Sequence, residues 1–201
     1  MAIIAVVSDV VCPWSLIGKR RLEEALVILG EPETEIHWKP YQRNPNAPPE
    51  GMDRQEYRAQ KFGSAATSKE LEDRVAAAGA GGGIHFRFDT IKRAPNTFEA
   101  HRQIWQAGRQ GDQNTLVENL FQASFLNGED IGAPEALLEI AKQSGLKFPN
   151  GNHGTEEVAT EENRAGRHGV SGVPSFFVDG NLIASGAHKP EQPAQMLALA
   201  L

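Results

Sequence analysis

Ile3-Ile4-Ala5-Val6-Val7, followed by Val11-Cys12-Pro13-Trp14-Ser15-Leu16-Ile17-Gly18, is the stretch whose reading decides the fold. The first five residues form a short continuous apolar run, the pattern of a strand covered on both faces. Pro13 suits the first position of a helix, where its missing N–H has no intrahelical partner to lose. Leu22, Ala25, Leu26 and Leu29 then recur at i, i+3, i+4 and i+7, which gives that helix one buried stripe. A buried-type strand therefore runs into an amphipathic helix. Cys12, the single cysteine of the chain, stands at the junction.

A helix N-terminus carries roughly +0.5 of a charge and N–H groups without intrahelical partners, so it favours an ionised sulfur. Thiols in such settings titrate between ~3.5 and ~7.5 instead of ~8.5, and the thiolate is the nucleophilic form. Ser15 occupies the place where a Cys-x-x-Cys pair has its second sulfur, so the chain cannot close a disulfide within itself. Its hydroxyl is expected within reach of the Cys12 sulfur, as a donor to the charged form. The competing reading makes Cys12 a small buried hydrophobe. The strand–Cys-Pro–helix context favours a functional sulfur.

With 201 residues, 40% of them hydrophobic, the chain has enough material for a core. A net charge of −6 spread along it argues against nucleic acid or an anionic membrane as partner. No stretch approaches the ~20 apolar residues of a membrane span. The N-terminus shows no basic region leading into a cleavable apolar segment. One unpaired cysteine without an export signal leads to the expectation of a reducing cytoplasm. No His/Cys/Asp/Glu group has metal-ligand spacing and no Gly-rich loop cradles a phosphate, so neither a metal nor a bound cofactor is expected.

Along the chain, residues 1–46 read β-α-β, with Glu35-Ile36-His37-Trp38-Lys39-Pro40 alternating as a strand. Residues 47–150 read helical, introduced by the Pro/Gly-rich Pro45–Gly51 segment. Residues 151–201 read helix-strand-strand-helix, with Asp179-Gly180-Asn181 as a turn between Ser175–Val178 and Leu182–Ala184. The class is α/β with a helical insert. Within the insert, Leu137, Leu138 and Ala141 after Pro134 read as a core stripe, and Gly79–Gly83 as a flexible turn. Asn96 with Glu99 reads as a helix N-cap with its return partner. His101 shares a face with Phe98 and Trp105 and reads as a core histidine before it reads as a base. Arg43-Asn44 after the second strand reads equally well as a substrate contact and as a plain turn into Pro45. Trp14 offers an apolar rim beside the sulfur.

Val11–Gly18 resembles the active-site segment of DsbA-like thioredoxin-fold proteins, especially their FrnE-like branch. Tyr41-Gln42-Arg43-Asn44-Pro45, Asn96-Thr97-Phe98-Glu99-Ala100-His101-Arg102, Gly169-Val170-Ser171-Gly172-Val173-Pro174 and Ser185-Gly186-Ala187 resemble further segments of that branch. The resemblance implies a thioredoxin fold with β-α-β and α-β-β-α halves, 1–46 and 151–201, and an inserted helical subdomain at 47–150. It also implies a cis Val173–Pro174 bond beside Cys12, with Val173 as backbone anchor for an extended substrate. Cys12 and Ser15 are the expected catalytic residues; Pro13, Trp14, Asn44, Val173 and Pro174 are the expected substrate contacts.

The implied activity is thiol–disulfide oxidoreduction on protein or small-molecule thiols and disulfides. Because Ser15 departs from the dithiol pattern, the expected mechanism is monothiol. Cys12 forms a mixed disulfide that an external thiol resolves, with glutathione as co-substrate. An alternative follows from the sister hydroxychromene-carboxylate isomerases and kappa-class glutathione transferases, in which serine serves the thiol of glutathione. Ser15 fits that role, but Cys12 is retained and Ser185-Gly186-Ala187 lacks the Ser/Asn-Asp pair those branches use. A third alternative is a binding module without chemistry. The sequence carries no signal for oligomeric state.

Overall fold

The computed structural model describes residues 2–30, 32–148 and 153–199. The apolar run forms β1 (Ala2–Ser8), an inner strand of a four-stranded sheet ordered β2-β1-β5-β6. β2 (Thr34–Pro40) lies parallel to it, with Ala2 opposite Thr34 and Ser8 opposite Pro40. β5 (Ser175–Val178) lies antiparallel on the other side, with Ile4 opposite Val178 and Val7 opposite Ser175. β6 (Asn181–Ser185) continues antiparallel beyond β5. A strand with neighbours on both sides buries its side chains on both faces, and Ile4 and Val6 have no exposed surface.

Parallel strands need a crossover, and α1 (Pro13–Ile28) supplies it. Pro13 opens the helix and Cys12 is its N-cap, in extended backbone geometry. Leu22 and Ala25 are buried, Leu26 and Leu29 pack half-buried beside them, and Leu16 and Ile17 complete the face. Gly18 is needed for a close approach. A Cβ there would lie 2.6 Å from Pro174 Cγ and 3.1 Å from Phe176 Cζ.

The β5–β6 turn is tighter than the three-residue loop expected. Asp179 (φ 47°) and Gly180 (φ 84°) alone make it, both left-handed as a type I′ hairpin requires. Asn181 already pairs with Val178 in the ladder.

Between β2 and the closing elements come α2 (Arg54–Phe62), α3 (Ala65–Ala80), α4 (Phe98–Gly108), α5 (Gln113–Gln122) and α6 (Pro134–Gln143). The wholly helical reading of 47–150 needs correction. Met52–Asp53 (β3) pairs antiparallel with Arg93–Ala94 (β4), two-residue strands too short to show a period. α5 runs on into a π-helical segment, Ala123–Asn127, ending at Gly128. Leu138 is also corrected: it is 53% exposed, because the buried face runs through Leu137, Ile140 and Ala141 at i, i+3 and i+4. The glycine tract is a packed helix end. Gly79 is buried in α3, its carbonyl accepts from the Gly82 and Ile84 amides, and a Cβ on it would meet Phe86 Cε2 at 2.5 Å.

Asn96 does not cap α4 as expected. Thr97 is the N-cap, Asn96 Oδ1 accepts from the Phe98 amide at 2.9 Å, and Glu99 pairs forward with Arg102 at 2.7 Å. α7 (Thr155–Arg167) and α8 (Glu191–Ala198) complete the chain, α8 lying beside α1. The expected boundary between residues 150 and 151 falls outside the described residues. Among the described residues no helix is long and apolar enough to cross a membrane.

The core is continuous from the sheet into the helices: the Trp38 ring of β2 meets Phe121 of α5 edge-on at 6.3 Å. An ion cluster fastens α5 to α1 as well. Glu118 of α5 accepts from Arg20 at 2.8 Å and pairs with the buried Lys19 ammonium at 2.9 Å. Burial pushes the Glu118 carboxyl up, but hydrogen bonds from Arg20 and Lys19 outweigh it and hold the group down at about 2.

Candidate functional site

Cys12 is 1% exposed and packs with Val7, Ala165, Val170, Val173 and Phe177, between the sheet and α7. Its thiol donates to the Val173 carbonyl at 3.5 Å, and the Val173–Pro174 bond is cis. The sulfur makes no capping bond to the α1 amides. Arg43 Nη1 donates to it at 3.7 Å instead. Burial alone would lower the Arg43 guanidinium pKa. The Cys12 sulfur and the Asp9 carboxylate more than offset that, so it lies above its ordinary value. The guanidinium is thus a charged donor seated on the sulfur.

Asp9 organises this corner. It has no exposed surface. Its carbonyl accepts from the Cys12 amide at 2.9 Å, and its Oδ2 accepts from the Arg43 amide at 2.7 Å. One residue thus sets the position of both the sulfur and its cation. Behind it, the buried His101 places Nε2 3.4 Å from Asp9 Oδ1, close enough for an ion pair but without hydrogen-bond alignment. The turn carrying Arg43 is also held from α7: Glu162 Oε1 accepts from the Gln42 amide at 2.6 Å, and Glu161 pairs with Lys39 at 2.7 Å.

The loop bearing Val173 and Pro174 is tied at several points. Pro174 O accepts from the Gly186 amide at 2.7 Å, and Ser175 Oγ donates to Gly172 O at 2.8 Å. Ser15 behaves otherwise than expected. Its amide donates to Cys12 O at 2.9 Å, but its hydroxyl, wholly buried, makes no hydrogen bond. The helix turns that side chain into the interior, and Arg43 takes the place expected for a Ser15 donor at the sulfur.

A cavity of about 350 Å³ opens beside Cys12. Cys12, Pro13, Trp14, Arg43 and Asn44 line one side of it, and α2 with α3 the other. Trp14 is 36% exposed, as a rim residue would be. Asn44 Nδ2 also lies 3.9 Å from Met52 Sδ. The structure therefore gathers Cys12, Pro13, Trp14 and Asn44 on one cavity and brings Val173 to the sulfur. Ser15 is not on that wall.

Sequence reasoning missed Asp9 and the Arg54–Glu72–Arg58 group across the cavity, and it left Arg43 undecided. An aspartate at the end of an otherwise apolar strand was the one available signal. Among the described residues no three His, Cys, Asp or Glu side chains come together as a metal site. What the arrangement offers chemically is a single nucleophilic sulfur, paired with a cation and open to a cavity, able to make one covalent bond at a time.

Comparison with known proteins agrees with this architecture. The chain is 24% identical to the uncharacterized protein YwbO of Bacillus subtilis (strain 168) over 196 residues, 92% of this chain and 91% of that one. The crystal structure of a probable DsbA oxidoreductase, SCO1869 from Streptomyces coelicolor, superposes with a TM-score of 0.88 at 26% identity, covering 100% of this chain and 90% of that one. The cytosolic disulfide reductase DsbM from Pseudomonas aeruginosa, solved with GSH, gives 0.61 at 17% identity over 98% of each chain. The family model of the DSBA-like thioredoxin domain matches residues 3–198, nearly the whole length, and the chain belongs to that family.

Proposed function

We propose that the protein is a monothiol thiol–disulfide exchange enzyme acting through Cys12. The observation that carries the reading is the Arg43 guanidinium 3.7 Å from the sulfur of the only cysteine in the chain. Thiolate is the attacking species, and the guanidinium is a charged donor aimed at that sulfur. The Cys12 thiolate attacks one sulfur of a disulfide, the new S–S bond forms as the old one breaks, and the released thiolate takes a proton from water. An external thiol then attacks the mixed disulfide and returns Cys12 to its thiolate. The external thiol leaves joined to the half of the substrate that Cys12 held, as a new disulfide, and a second external thiol releases it, so two thiols are oxidised for each substrate disulfide fully reduced. Glutathione is the proposed resolving thiol, which suits the cytoplasm. Val173 would anchor an extended substrate through its backbone, with Pro13, Trp14, Asn44 and Pro174 as surrounding contacts.

In the second reading Ser15 activates the sulfur of bound glutathione. It has less support, because the Ser15 hydroxyl is buried away from the cavity. Incubation with glutathione disulfide followed by intact-mass measurement tests both. The expected result is one glutathione adduct, reversed by glutathione and absent in Cys12→Ser. A folded protein that forms no adduct overturns the proposal. So does a glutathione-dependent activity that survives Cys12→Ser and is lost in Ser15→Ala.

A further inference from the structure

The cavity beside Cys12 is cationic in an acidic chain. Arg43, Arg54, Arg58, Lys61, Arg74 and Arg93 line it against two carboxylates, Asp9 and Glu72, while the chain as a whole carries −6. The imbalance is deepest between α2 and α3. The Arg54 and Arg58 side chains are only 13% and 18% exposed, yet they share the single carboxylate of Glu72, at 2.5 and 3.1 Å. One positive charge there has no counter-charge of its own. Burial, helped by Arg54 and opposed by Glu72, holds the Arg58 guanidinium below its ordinary pKa, as expected where another anion would be welcome.

Apolar surface adjoins the charge. Arg54 Cζ sits 5.6 Å over the Phe88 ring, and Phe125 meets that ring edge-on at 6.2 Å. Phe88, Phe125, Ile91 and Val75 all line the cavity. A volume of about 350 Å³ suits a small molecule.

We propose that this cavity selects a small organic anion with an apolar body, its charge on Arg58 and Arg54, its body against the apolar lining of Phe88, Phe125, Ile91 and Val75, and its disulfide sulfur toward Cys12. The inference rests on the exchange reading and names its substrate class: low-molecular-weight anionic disulfides. The bond changes are those already given, with Cys12 joined to one half of the disulfide and the other half released as thiolate.

Two chromogenic disulfides separate charge from reactivity. 5,5′-Dithiobis(2-nitrobenzoate) is an aromatic dianion, whereas 4,4′-dithiodipyridine is uncharged at pH 8. The ratio of their rate constants with Cys12 should fall about tenfold or more in Arg58→Gln, the loss of a charge-assisted contact. It should fall less in Lys61→Glu and Arg74→Glu, exposed positions that spare the buried network and decide the matter if Arg58→Gln does not fold. 2-Naphthoate should quench tryptophan fluorescence and protect Cys12, with 2-naphthamide doing neither. A ratio unchanged in all three variants, or equal protection by the amide, overturns the inference. If neither disulfide reacts, the exchange reading itself fails, and the naphthoate titration of the wild type against Arg58→Gln still decides whether the cavity selects an anion.

Discussion

Gly18→Ala sets two physical effects against each other. In a helix interior alanine is favoured over glycine by about 1 kcal/mol, so a surface glycine would gain stability from the change. Gly18 faces Pro174, and the new Cβ would sit 2.6 Å from Pro174 Cγ, so the pair must open by about 0.8 Å to regain the 3.4 Å of ordinary contact. The loop has little room to yield, because Pro174 O is bound by the Gly186 amide and Ser175 Oγ by Gly172 O. Overpacking of this kind costs about 1–3 kcal/mol. With the loop tied in this way the upper part of that range, about 2–3 kcal/mol, applies, and against the helix gain the net loss is about 1–2 kcal/mol. For a chain of this size that lowers the melting temperature by about 2–8 °C. The displaced loop also carries Val173 O away from the sulfur, so adduct formation with glutathione disulfide should slow in the same variant. Thermal unfolding followed by circular dichroism, with mass-resolved adduct kinetics, reads both. An unchanged or higher melting temperature would refute the packing argument.

Arg43→Met removes the cation beside the sulfur, and alkylation of Cys12 by iodoacetamide at pH 7 should slow about fivefold, a modest factor because Arg43 is itself exposed. Glu118→Gln should destabilise by about 1–2 kcal/mol at neutral pH. The folded carboxyl is depressed from 4.5 to about 2, so its contribution is fully present above 4.5 and disappears as pH falls toward about 2. Urea titrations of both proteins across that window check this, and a difference that persists below pH 2 would count against the ion cluster. Ser15→Ala removes a buried hydroxyl without a partner, so stability should hold or rise by up to about 1 kcal/mol in denaturant titration. A loss of more than that would show that the hydroxyl is bonded after all.

The parts of the fold that the sequence announces are those written in adjacent residues. Pro13 after an apolar strand marks where α1 starts, and Asp179-Gly180 carries the left-handed pair of a tight hairpin. The site is legible to the same depth: Cys12 and its place at the helix end are local facts. Its electrostatics are not. Arg43 reaches the sulfur across 31 positions, and Asp9 joins them by accepting the Cys12 amide on its carbonyl and the Arg43 amide on its carboxylate, contacts that leave no trace in spacing. The Arg54–Glu72–Arg58 arrangement depends on how α2 lies on α3, which periodicity does not specify. One helical turn after Cys12 suggests a Ser15 hydroxyl at the sulfur, but the helix directs that side chain inward. β3 and β4 escaped because two residues make no pattern.

The tie from Glu162 to the Gln42 amide spans 120 positions, and the contact of Cys12 with Val173 spans 161. These are expensive loops to close, and contacts of such separation form late. During synthesis, which runs from the N-terminus, Cys12 emerges 161 residues before its acceptor at Val173, and before the hairpin that places it. The corner around the sulfur is therefore assembled only after that later segment has been made. A chain stopped before β5 retains the cysteine and has nothing to do with it.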